Sequence, residues 1–302
     1  MRWSIQVGVI GASPWLVEQP DVALPTASVG KLLLLGAAAE MFADGTLSRD
    51  EPLQRSSGSF VRDSGVWHAL DQDCLSAVDV CRLIGLVSDN LATNVLLEHI
   101  GQREVQAYAD RLGLAPMALL DQVRGLRDPH DPDIPPTLSV ASATSLIRFM
   151  ELLADGTVSP EVGRWLSLNT DLSMVADAFG LDPLAHNAIG GGEPGGYTLI
   201  NKTGTNGGTR ADVGLVHAGG APTAYAVIAF WDESTDGDRL PQVITRMREI
   251  GAQIRERTVK RHEPTRRAAG SAAQRRVNNP SAGAWTPPLD GRSGQSFGPP
   301  AT

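Results

Sequence analysis

Apolar and polar positions alternate in "RWSIQVGVIG" and again in "SPWLVEQ", and the two runs meet at Gly11-Ala12, a pattern that predicts a β-hairpin at the start of the chain. Far downstream, "GYTLINKTG", "TRADVGLVHA" and "TAYAVIAFWD" read as three further strands separated by glycine-rich turns. Leu, Val, Ile, Met and Ile then recur at helical spacing in "DRLPQVITRMREIGAQIRERTVKR". Between these ends the period is helical. "VGKLLLLGAAAEMFADG" closes at Gly45, "SAVDVCRLIGLVSDNLATNVLLEHIG" runs from a Ser cap to Gly101, and "SVASATSLIRFMELLADG" runs from a Ser cap to Gly156. The pattern predicts an α/β (α+β) architecture. Residues 1–30 and 184–257 form a mostly antiparallel sheet with flanking helices, and an all-helical domain, 31–183, is inserted between its halves. A site at the seam is the natural expectation.

Composition adds limits. A chain of 302 residues with 42% hydrophobic and 20% charged positions is globular and large enough for a substantial core. Its net charge of −8 is uneven: seven Lys/Arg against two Asp/Glu from Thr258 onward leave −13 on the first 257 residues. An acidic body excludes nucleic acid as the main partner. Residues 258–302, rich in Arg, Pro, Gly, Ser and Ala, read as a disordered basic tail. No run approaches the ~18 apolar residues of a membrane span. "MRWSIQVGVIG" lacks the parts of a signal peptide, so the chain as it stands reads as cytoplasmic, or as secreted or periplasmic should its true start lie upstream. Cys74 and Cys81, if on one helix, lie too far apart for a disulfide and read as reduced thiols.

One choice of residue stands out against this background. Of 26 basic residues only Lys31, Lys202 and Lys260 are lysine. Lys31 falls in "LPTASVGKLLLL", at the start of a helix that must bury an apolar face. Arginine does not lose its proton in a protein, whereas a buried lysine can, so lysine here suits a base.

Three short motifs then line up. "SVGK" sets Ser28 and Lys31 three apart on one helix face, where hydroxyl and amine can meet. "SDN", Ser88 to Asn90, follows at 88 − 28 = 60 residues, in a break within the second helical run, and "KTG", Lys202 to Gly204, closes a strand. S-x-x-K, S-D-N and K-T-G in this order make the chain resemble the serine β-lactamase and penicillin-binding protein superfamily, closest to class A, over roughly residues 4 to 257. Asn94 matches an asparagine that the family uses to hold the SDN turn. Arg210, in "KTGTNGGTRADVG", lies near the position of a carboxylate-binding arginine, and Trp67 lies near an aromatic that lines the cleft.

The resemblance implies a covalent acyl-enzyme. Ser28 is the nucleophile, Lys31 its base, and Ser88 the relay of a proton to the leaving nitrogen. Asn90 holds the lysine and the substrate amide. Lys202, Thr203, Gly204, Thr205 and Arg210 form the carboxylate-binding strand and turn, with the N–H groups of Ser28 and Thr205 as oxyanion hole. The implied substrate is a small β-lactam or a related amide or ester, and the implied protein is a monomer without cofactor. A penicillin-binding-protein-like peptidase, an esterase, or an acylated sensor that does not turn over are the alternatives.

Two features depart from class A. Its Glu-x-x-Leu-Asn run on the loop before the Ser-capped helix has no counterpart glutamate in "DQVRGLRDPHDPDIPPTLS". Only Asp121, Asp128, Asp131 and Asp133 offer a carboxylate there, so slow deacylation is expected. A helix before the first strand is also missing from the sequence as given. His68, His130, His186 and His217 show no metal-ligand spacing, and no metal is expected.

Overall fold

In the computed structural model, which describes residues 1–128, 130–185 and 198–277, strands from early and late in the chain meet in one sheet. Strand β1 (Arg2–Val9) turns back into β2 (Leu16–Glu18), pairing Ile5 with Glu18, which is the hairpin predicted from the alternation. β8 (Thr198–Asn206), β9 (Thr209–His217) and β10 (Thr223–Phe230) complete a fully antiparallel sheet of order β2-β1-β10-β9-β8. β10 is central, and its residues divide between two cores. Ala224, Ala226 and Ile228 face the helical layer, while Tyr225, Val227 and Ala229 face the opposite side. A strand covered on both faces needs this near-continuous apolar run.

The opposite side is covered by the terminal helix, whose Val243, Met247, Ile250 and Ile254 recur at helical spacing and pack with Trp3, Ile5 and Val7 of β1. The helical backbone continues to Val277, so residues 258–277 are helix where a disordered tail is expected from the sequence. Ala, Arg and Gln, which fill "RRAAGSAAQRR", are good helix formers, and low apolar content hides that propensity. Met1–Lys260 is one compact unit. Residues 278–302 lie outside the described ones.

The helical layer is built around α1 (Lys31–Asp44), in which Lys31 and Leu32 to Leu35 are all fully buried. A helix apolar all round belongs in the middle of a core. Around it stand α2 (Ala77–Val87), α3 (Asn90–Ile100), α4 (Gln102–Arg111) and α6 (Pro160–Leu166), while α5 (Ala143–Asp155) packs on β10 and β1. Ser76 caps α2 as the sequence predicts, whereas α5 is capped by Ser142, with a capping box through Ser145, three residues after the Ser139 that opens the predicted run and lies on a strand. The stretch 31–183 is not all helix. β3 (Leu24–Pro25), β6 (Ala118–Leu119) and β7 (Ser139–Ala141) form one small sheet, and β4 (Pro52–Gln54) and β5 (Cys74–Ser76) another. Strands this short leave no readable period. Cys74 therefore sits on a strand and Cys81 in α2, both as free thiols.

Candidate active site

Ser28 lies on a single 3-10 turn, Ala27–Gly30, that leads into α1. Residues three apart eclipse in a 3-10 turn, so Ser28 and Lys31 share one side as the SxxK spacing requires. The turn is braced from β7. Ser139 Oγ donates to the Ala27 carbonyl at 2.6 Å and lies 2.8 Å from Thr26 Oγ1, while Thr26 N–H reaches Ser139 O at 3.1 Å. Ala27 has φ 47° and Ser88 has φ 55°; among the described residues Gln19 is the only other non-glycine in that region. Two such residues at one site mark backbone held in place by its surroundings.

Lys31 is fully buried, and its Nζ donates to Ser88 O at 2.7 Å, Ser88 Oγ at 3.2 Å and Asn90 Oδ1 at 2.6 Å. Lysine has only donors, so the Asn90 oxygen must face it, and the Asn90 amide NH₂ is left to donate to Asp63 Oδ2 at 3.1 Å. Burial first, then the charge of Lys202, holds the Lys31 pKa well below the usual lysine range, against partial opposition from Asp89 and Asp63. Asp89 organises this corner. Its Oδ1 accepts Ala92 N–H at the start of α3, and its Oδ2 accepts the N–H groups of Val66 at 2.7 Å and Trp67 at 2.8 Å.

Lys202 comes from β8, also fully buried, with Nζ 3.0 Å from Ser88 Oγ and 2.9 Å from Thr203 O. Ser88 Oγ thus stands between two lysines. Burial lowers the Lys202 pKa to about 8 despite the opposing charges of Asp171 and Asp212. Gly204 is where β8 passes the nucleophile turn, and a Cβ there would lie 2.1 Å from Thr26 O, so only glycine fits. Thr205 is exposed beside Ser28 in the cleft and pairs across the sheet with Arg210.

Behind β8 lies a buried polar chain. Asn169 donates to Asn201 Oδ1 at 2.7 Å, and Asn201 and the Tyr225 hydroxyl both donate to Asp212 Oδ1 at 3.1 Å. Asp212 Oδ2 accepts Val175 N–H at 2.9 Å. Burial raises the Asp212 pKa to about 7, against those hydrogen bonds. Burial acts in the same sense on Asp171, but hydrogen bonds from Ser173 and Thr203 and the charge of Lys202 outweigh it and hold that carboxyl below its usual range.

The cleft over Ser28 has a volume of about 70 Å³ and is walled by Asp63, Asn90, Val123, Arg124, Arg127 and Thr205, among others. Asn94 does not hold the SDN turn. Its side chain donates to Ser59 O and Val123 O and accepts Val123 N–H at 2.7 Å, so it clamps the loop between β6 and β7. The clamped stretch, Val123-Arg124-Gly125-Leu126-Arg127, contains no carboxylate. Asp121 is taken up by Arg124 and Arg127, at 2.7 and 2.6 Å, and is not among the residues that wall the cleft.

Ser28, Lys31, Ser88, Asn90, Lys202, Gly204 and Thr205 therefore converge. Trp67 does not line the cleft: it is fully buried in the helical core, with Nε1 donating to Gln72 O at 2.8 Å. Thr203 is buried and turned to Asp171, and the Arg210 guanidinium is tied to the carbonyls of Asn206 and Thr209 and stacks over Trp231 at 5.9 Å. Asp63, Thr26 and Ser139 have no motif around them in the sequence and are found only through the fold. Among the described residues no cluster of His, Cys, Asp or Glu could hold a metal ion, and no helix is long and apolar enough to cross a membrane.

Against known proteins, the model of the Beta-lactamase enzyme family matches residues 2–258. No curated protein matches in sequence. Solved structures with the same fold include PBP-A, at TM-score 0.68 and 18% identity over 86% of this chain and 90% of that one. A β-lactamase from Sphaerobacter thermophilus superposes at TM-score 0.70 and 19% identity over 85% of this chain and 91% of its own. The ancestral class A β-lactamase GNCA does so at TM-score 0.67 and 22% identity, covering 84% of this chain and 94% of its own.

Proposed function

The chain belongs to the β-lactamase enzyme family and is a serine hydrolase, and from that premise we propose that it forms an acyl-enzyme on Ser28 with β-lactams or related amides and esters and releases the acyl group slowly. The observation that carries the reading is Ser88 Oγ, held 3.2 Å from Lys31 Nζ and 3.0 Å from Lys202 Nζ.

In the first half-reaction neutral Lys31 takes the Ser28 proton as Oγ attacks the carbonyl carbon. The oxyanion forms against the N–H groups of Ser28 and Thr205. As the C–N bond breaks, Ser88 gives its hydroxyl proton to the leaving nitrogen and is reprotonated from Lys31. Lys202 offers positive charge to an anionic leaving-group side. Asn90 orients Lys31 throughout, through the 2.6 Å contact. The second half-reaction needs a base beside the ester to activate water. The clamped loop presents Val123, Arg124 and Arg127 to the cleft and no carboxylate, and the carboxylate that does wall the cleft, Asp63, is engaged by the Asn90 amide, which supports slow release.

Intact-protein mass spectrometry after incubation with benzylpenicillin tests the reading. The expected result is one adduct per chain that is absent from Ser28→Ala. Wild-type protein that stays unmodified by penicillin and by an activated ester contradicts it.

A further inference from the structure

We propose that Arg124 and Arg127 form an anion subsite for the acyl side chain, so that the preferred acyl donor carries a carboxylate there; this rests on the acyl-enzyme reading above. Arg124 and Arg127 both line the cleft that holds Ser28. Their shared partner, Asp121, lines instead the neighbouring groove beside Asn94, Leu97 and Glu98, which Arg124 also borders. The cleft wall therefore carries two arginines and Asp63, and the carboxylate that pairs with both arginines lies outside the cleft.

The donors are held ready. Arg127 is fixed by Asp121, by Pro135 O at 2.8 Å and by Gln122 O at 3.1 Å. Arg124 spends only Nε and Nη2 on Asp121, and the rest of its five N–H groups meet no acceptor among the described residues. Its side chain is 31% exposed, so an incoming anion can reach it. Asp131 also acts on Arg124, but makes no ion pair with it among the described residues. Asp63, on the same cleft, bonds the Asn90 amide rather than either arginine. A planar fork with free donors suits a carboxylate. Lys202, on the β8 side of Ser28, meets a different part of the substrate, so the two cationic groups read two separate anions.

Carbenicillin and benzylpenicillin test this, because they differ only by a carboxylate on the acyl side chain. The readout is the ratio of their second-order rates of Ser28 acylation, by mass spectrometry, in wild type, Arg124→Gln and Arg124→Lys. The ratio is expected to fall about tenfold in Arg124→Gln, to recover in part in Arg124→Lys, and to shrink in wild type as salt is added. A ratio that both substitutions leave unchanged overturns the subsite while the acyl-enzyme reading stands. Failure of both penicillins to acylate wild-type Ser28 overturns the acyl-enzyme reading, and the subsite with it.

Discussion

Lys31 and Lys202 are both fully buried and share one hydroxyl, yet the proposed chemistry asks opposite things of them. Lys31 must be neutral to accept the serine proton, and burial beside a second cation drives it that way. Arginine would keep the charge and lose the function. Lys31→Arg should therefore lower the acylation rate roughly 10²–10⁴-fold, as far as Lys31→Ala does; an arginine variant that still acylates would make Lys31 a structural cation. Lys202 must be charged to attract an anionic substrate. Its pKa of about 8 means that charge is lost as pH rises through that value. The acylation rate should climb while Lys31 deprotonates and fall above about pH 8. Lys202→Arg, which cannot deprotonate in this range, should abolish the alkaline fall, a change read directly from the pH profile.

Two elements carry the next level of the account, the clamped loop and the strand β8. Asn94 grips the backbone of Val123 on both its N–H and its carbonyl, which fixes that residue at the cleft wall. A carboxylate introduced there as Val123→Glu should speed release of the benzylpenicilloyl adduct by about 10²-fold, the lower end of general-base assistance. Adduct lifetime by mass spectrometry checks it, and an unchanged lifetime would mean that position 123 does not reach the ester. Behind β8, Asp212 has a pKa raised from 3.8 to about 7. The native state thus keeps a proton that the unfolded chain releases from about pH 4 upward, so this group's contribution to stability declines as pH rises from about 4 to 7, at about 1.4 kcal/mol per pH unit. Asp212→Asn, whose neutral amide cannot release a proton in this range, should lose this slope. Thermal unfolding across that range measures the difference.

For the molecule as a whole, the legible parts were those with a period or a cap. Alternation marked β1, β2 and β8 to β10, and Ser76, Gly45 and Gly156 marked the ends of α1, α2 and α5. The site was legible where chemistry restricts residue type, as at Ser28, Lys31, Ser88 and Lys202. It was not legible where position comes from long-range contact. Asp63 reaches the cleft through Asn90, 27 residues away, and Ser139 braces Ala27 across 112 residues. Trp67 lies in the core and not at the cleft: an aromatic beside a loop can serve either, and here Asp89 holds its backbone N–H. The fold brings a nucleophile, two lysines and a loop that turns no carboxylate into the cleft together, and the central claim is that such a molecule acylates faster than it deacylates. Stopped-flow mixing with a chromogenic cephalosporin tests this most directly. The account predicts a burst of about one equivalent followed by a slow steady state, whereas linear turnover without a burst or trapped adduct would contradict it.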